Sequence, residues 1–230
     1  MARLARLAVP GQAHHVMQRG HDGRLVFVDA RDRQAFLAAL KESADALHVA
    51  VHGYVLLDSE LHLLVTPRSA EGLSRMMQML GRRYGQVFNR RHGRRGTLWE
   101  GRFRTALLEV HPWVRISLAW LEQAPVAAGL AVRAADYPWS SAAHHAGLRR
   151  DPLLTDHAAY WQLGNTPFER EAAWRGILEQ PVTSEEASRL LDAVRRGWPV
   201  GGESFLSRLA ATVGRPVAPR PRGRPRRMSG

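Results

Sequence analysis

Two apolar runs, Val49 to Leu57 and Leu61 to Thr66, stand on either side of Asp58, Ser59 and Glu60, and this spacing constrains the chain more than any other feature. Both runs are dominated by Val, Leu and Tyr, so each reads as a strand. A connection this short cannot carry a parallel crossover, so the pair must be an antiparallel hairpin. Side chains two apart on a strand share a face. Leu61, Leu63 and Val65 therefore point to one side, where helices can cover them, and Glu60 and His62 point together to the other. On this reading the second side is an open face of the sheet.

The flanks extend the pattern. His14 to Gln18 alternate weakly and run into the glycine-bracketed loop Arg19-Gly20-His21-Asp22-Gly23. Asp29 or Asp32 can cap a helix with Phe36, Leu37, Leu40, Ala44 and Leu47 at helical spacing. A second helix begins near Ser69, with Leu73, Met76, Met77, Leu80, Tyr84, Val87 and Phe88 on one stripe and Arg75, Arg82, Asn89 and Arg90 mostly off it. A further strand lies within Arg102 to Val110. The order strand, helix, strand, strand, helix, strand predicts an α+β fold, a ferredoxin-like antiparallel sheet with helices packed on one face. Pro112 suits the first turn of a third helix carrying Trp113, Ile116 and Trp120, and Pro125 is expected to stop it. Beyond Trp139 come short helical pieces: His157 to Leu163, Pro167 to Leu178, Ser184 to Arg196 and Glu203 to Val213. The expected organisation is a domain over residues 1–145, a C-terminal helical appendage over 146–213, and a disordered Arg/Pro-rich tail over 214–230.

Charge narrows the partners. Against 21 Asp+Glu stand 33 Lys+Arg, a formal net charge of +12 that favours polyanions. Lys41 is the sole lysine, so nearly all the positive charge sits on guanidinium groups, which fork onto phosphate and stack on bases. Arg82, Arg83, Asn89, Arg90, Arg91, Arg94, Arg95, Arg102 and Arg104 crowd around Tyr84, Phe88, Trp99 and Phe103. Together with Arg19 they read as a surface for single-stranded or hairpin DNA, because cations follow the backbone while rings accept bases. In the tail, Arg222 and Arg224 flank Gly223 in an AT-hook-like Pro221 to Arg227, suited to the minor groove of A·T-rich duplex. With no cysteine, disulfides and thiolate metal sites are excluded. No run of apolar residues is long enough to span a bilayer, and the start is too short and polar for a signal peptide, so no membrane partner and a cytoplasmic, nucleoid-associated protein are expected.

Glu60 and His62 offer a carboxylate and an imidazole on one face, two donors for a divalent cation such as Mg or Mn. The surrounding stretch, Tyr54-Val55-Leu56-Leu57-Asp58-Ser59-Glu60-Leu61-His62-Leu63-Leu64-Val65-Thr66-Pro67, resembles the metal-binding hairpin of the HUH transposases, specifically the REP-associated tyrosine transposases. His15 to Gly20, Phe88 to Phe103, Pro125 to Leu130 and Tyr137 to Ser141 are similar to that family as well, so the resemblance covers roughly the first 145 residues. It implies a metal held by two histidines flanking one hydrophobic residue. It also implies a helix tyrosine that attacks the scissile phosphate, a third ligand one turn later, and no nucleotide or organic cofactor.

Three positions depart from that pattern. Glu60 stands at the first histidine position, where it can still ligate a hard cation. Trp120 stands at the nucleophile position, and indole has no nucleophilic oxygen. Ala124 stands at the third-ligand position, while neighbouring Gln123 is rotated about 100° around the helix. Tyr54 and Tyr84 are the substitutes to consider for the missing phenol. The expected function is a DNA-binding protein of this family with impaired transposition chemistry. One alternative is an active metal-dependent enzyme that nicks and rejoins single-stranded DNA through a phosphotyrosine; another is a duplex regulator acting through the tail. A homodimer is open under all three.

Overall fold

A computed structural model describes residues 6–214 and 216–218. The hairpin forms as its short connection requires, from β2 (Val49–Leu56) and β3 (Glu60–Pro67), with β1 (His14–Arg19) and β4 (Arg104–Leu107) completing a four-stranded sheet in the order β2-β3-β1-β4. Every neighbouring pair is antiparallel. With α1 (Ala30–Leu47) between β1 and β2, and α2 (Gly72–Arg91) between β3 and β4, the connectivity is the ferredoxin-like one expected. Asp29 caps α1, accepting from the Arg31 and Asp32 N–H groups at 2.9 and 3.1 Å.

One core lies between the sheet and α1 and α2, where Phe36, Leu40, Leu73, Met76, Leu80 and Tyr84 cover Val16, Leu61, Leu63 and Val65. A β-bulge between Val51 and Gly53 lets Val49 and Val51 point into this core before it and Tyr54 and Leu56 after it.

The opposite face is not open, which corrects the expectation for Glu60 and His62. Met17, Val55, Leu64 and Ala106 project from it, and at about 1.5–3 kcal/mol for each fully buried large apolar side chain such a surface is strongly driven to find cover. Cover comes from α3 (Arg115–Ala127) through Leu118 and Leu121, and from the preceding turn through Trp113. Gly53 permits the approach, since a Cβ there would sit 2.3 Å from Leu118 Cδ1. Pro125 lies inside the last turns of α3 rather than before its end, because near a helix terminus its missing N–H costs a single bond.

Five further helices follow: α4 (Ala142–His145), α5 (Ala158–Trp161), α6 (Pro167–Leu178), α7 (Ser184–Arg196) and α8 (Glu203–Thr212). Capping boxes at Thr166/Glu169 and Thr183/Glu186 start α6 and α7 at the residues the sequence marked. Trp174 of α6 and Leu190 and Val194 of α7 join the second core beneath α3. The sheet rims are also met by other chain segments. Along β2, Leu56 N–H donates to Trp139 O and Thr155 N–H to Val51 O, while beyond β4 Val200 exchanges bonds with Leu107 and Glu109. The AT-hook-like stretch with Arg222 and Arg224 lies outside the described residues. No described helix is long and apolar enough to cross a membrane.

Candidate nucleic-acid interface

Beneath α3 the polar side chains of the second face hydrogen-bond one another in a line. Ser117 Oγ lies 2.9 Å from His15 Nδ1, His15 Nε2 lies 2.9 Å from His62 Nδ1, and His62 Nε2 lies 3.4 Å from Glu60 Oε1. Arg19 closes the line with an ion pair to Glu60 at 3.2 Å. One polarity satisfies every member: the Ser117 hydroxyl donates to His15, His15 to His62, and His62 to the carboxylate. Burial, followed by the neighbouring His62, holds the His15 imidazole well below its usual pKa, so that it is neutral. The hydrogen bond from His62, with the Arg19 ion pair beside it, outweighs desolvation and holds Glu60 below the ordinary carboxylate range.

Trp120 lies over this line, its ring centroid 4.8 Å from that of His62 and 5.6 Å from that of His15. His62 is only 1% exposed. A divalent cation at Glu60 and His62 would need both imidazole tautomers reversed, so that the His62 Nε2 lone pair faced the carboxylate. Two donors would then be available, one of them already paired with Arg19. Ala124 adds none. Gln123 is turned into the chain after α6, donating to Gln180 O at 2.8 Å and accepting from Val182 N–H at 3.0 Å. These residues fit a catalytic Mg or Mn poorly, since such ions need several oxygen donors.

The four tyrosines of the chain are all committed inside the protein. Tyr54 donates to Asp151 Oδ2 at 2.7 Å, Tyr84 to Val26 O, Tyr137 to Leu56 O at 2.8 Å and Tyr160 to His145 O at 2.8 Å. Tyr54 and Tyr84 belong to the core beneath α1 and α2, on the far side of the sheet from Glu60 and His62. Burial, reinforced by Asp151 beside Tyr54 and Asp32 near Tyr84, pushes both phenols upward from their ordinary pKa.

The arginine-rich region divides into two groups. Arg83 pairs with Glu42, and Arg91 pairs with Asp29 and Asp32, so these two tie α2 to α1. Asn89 Nδ2 donates to Gly96 O at 2.8 Å and shapes the following loop, over which Arg94 stands 5.6 Å from the Phe88 ring. Half-buried Trp99 donates to Gly81 O at 3.3 Å, and Arg104 donates to Arg195 O at 3.2 Å. Arg82, Arg90, Arg95 and Arg102 are exposed and have no acidic partner among the described residues.

A cleft of about 480 Å³ between α2, β1 and the loop before β4 gathers Arg75, Arg82, Arg102, Gln78 and Trp99 with two residues the sequence reading did not assign, Arg6 and Gln18. Arg6 lies 3.8 Å over the Phe103 ring and donates to Phe103 O at 3.0 Å. Desolvation and then the neighbouring Arg102 cation lower its pKa, the mark of positive charges held close together. Beside Trp120 a second, mainly apolar cavity of about 870 Å³ opens between α3 and the α6–α7 segment, rimmed by Arg133 and Arg175.

The sheet order, with paired helices on one side and α3 on the other, has a counterpart among solved structures. The solved structure that carries this likeness is a REP-associated tyrosine transposase bound to a REP hairpin, at a TM-score of 0.54 and 17% identity, covering 69% of this chain and 96% of that one. A candidate transposase from Deinococcus radiodurans R1 aligns over 50% of this chain and 92% of its own, with 17% identity and a TM-score of 0.37, too loose a likeness to bear on the fold. No protein-family model and no curated protein sequence matches the chain.

Proposed function

We propose that this protein binds single-stranded or hairpin DNA on a tyrosine-transposase scaffold and has lost, or greatly weakened, the strand-cleaving step. The solved neighbour is bound to a REP hairpin, and transferring that class of ligand to this chain is consistent with the cleft of arginines, glutamines and Trp99. The observation that carries the reading is a contrast. Arg82, Arg90, Arg95 and Arg102 remain exposed where a phosphate backbone can reach them, with half-buried Trp99 nearby and Tyr84, Phe88 and Phe103 buried in the core, whereas all four phenols of the chain spend their protons on internal acceptors. At the position where the resemblance puts the nucleophile, Trp120 presents an indole, which cannot form a phosphate ester. Its accessible edge lines the larger cavity, so a displaced base could stack there instead.

A fluorescent hairpin oligonucleotide tests both halves. In Mg or Mn it should bind, more tightly than heparin competes, and yield no covalent adduct on a denaturing gel. An adduct would support the active-enzyme alternative, and equal displacement by heparin would remove the DNA reading altogether.

A further inference from the structure

A second cluster of ligand-type side chains lies away from both the arginine cleft and the Glu60–His62 line. Its centre is His145 at the end of α4, which is fully buried. The His145 Nδ1–H donates at 2.6 Å to Glu122 Oε1 of α3. Glu122 is itself fully buried and also accepts from the Ser141 hydroxyl at 2.5 Å and the Trp174 indole N–H at 2.7 Å. Three donors converge on this one carboxylate and fix which imidazole nitrogen faces it, leaving the Nε2 lone pair of His145 without a hydrogen-bond partner among the described residues. That lone pair is aimed at Asp156 Oδ1, 3.7 Å away.

A lone pair facing a carboxylate oxygen in a buried setting is unfavourable unless something positive stands between them. His144 does not fill the gap. Its Nδ1 accepts the Asp151 N–H at 3.0 Å, so its Nε2 carries the proton and donates to Asp156 Oδ1 at 3.2 Å, orienting that carboxylate. The ligand atoms of His144, His145 and Asp156 all lie within 4.8 Å of one another. A cavity of about 260 Å³ opens beside them, lined by His144, Asp156, Tyr160 and Glu171 together with the cations Arg149, Arg150 and Arg170, and is large enough to hold water ligands.

We infer that His145 Nε2 and Asp156 Oδ1 hold a divalent transition-metal ion, of the class Zn²⁺, Mn²⁺ or Co²⁺, with water completing its coordination. A histidine that gives its other ring N–H to a carboxylate is the usual arrangement of a metal-bound imidazole, and an imidazole with a carboxylate suits these ions better than Mg²⁺. The ion would pin α4 and the segment before α5 to α3.

Co²⁺ is the direct probe of the full-length chain. Titration should give visible d–d absorption saturating at one equivalent, and the paramagnetic ion should shift one slowly exchanging imidazole N–H, that of His145 bonded to Glu122. Co²⁺ should also raise the melting temperature. Asp156→Asn should abolish all three effects, while His62→Ala should leave them in place. Unchanged binding in a folded Asp156→Asn variant overturns the assignment. So does a wild-type protein that shows no shifted N–H at millimolar Co²⁺, because a proton rather than a metal would then bridge the pair.

Discussion

The indole at position 120 does structural work. It shields two imidazoles that hydrogen-bond each other, a serine and a carboxylate. Removing it as Trp120→Ala should cost stability near the lower end of the about 3–5 kcal/mol typical of large aromatics, because the ring is only partly buried, and urea unfolding would measure this. Glu122 should be more sensitive for its size. Glu122→Ala leaves the donors of Ser141, His145 and Trp174 facing a void, so a loss of about 3 kcal/mol or more is expected. Glu122→Gln keeps the shape and should lose measurably less in the same experiment.

At the scale of elements, α2 carries two kinds of arginine that DNA binding should tell apart. Arg82→Ala, or Arg102→Ala in the following loop, should weaken binding to all oligonucleotides alike and lower the slope of log affinity against log salt by about 0.7–0.9 per residue. Arg91→Ala should leave that slope unchanged and lower the melting temperature instead, because its partners are Asp29 and Asp32 of α1. The sequence could not separate these roles, since the ion pairs that tie α2 to α1 join residues 41 to 62 positions apart. It did reveal the hairpin, α1 and α2, whose apolar positions follow simple periods, with a capping Asp29 at the start of α1. The covered second face was hidden for a specific reason. His15 and His62 alternate with Met17 and Leu64 on neighbouring positions, and the two imidazoles satisfy one another, so a buried polar pair looked like a solvated surface. The His145 cluster was equally illegible, because Glu122, Ser141, His145, Asp156 and Trp174 converge from α3, α6 and the turns between them.

For the molecule as a whole, the buried histidines set a response to acid. Burial lowers the pKa of His14 and of His52 to about 4 from an ordinary 6.5, and that of His15 well below the ordinary value. The unfolded chain therefore binds these protons first, between about pH 6.5 and 4, so stability is full above that window and is lost as pH falls through it. Each group adds a slope of up to about 1.4 kcal/mol per pH unit, and thermal melts from pH 7 to 4 should show the decline. A chain ending at residue 145 should melt without a cooperative transition by calorimetry, because it lacks Trp174, Leu190 and Val194 over α3 and the sheet.

The two rims of the sheet bear on how the protein can meet other molecules. A free rim is a template onto which a stranger's backbone can be zipped, the route by which many sheet proteins add peptides or clump. Here the backbone of Trp139, Ser141 and Thr155 already bonds to one rim and that of Val200 to the other. At those positions the addition of a further strand, from a peptide or another copy, is blocked, which closes one common path to aggregation for a strongly cationic chain.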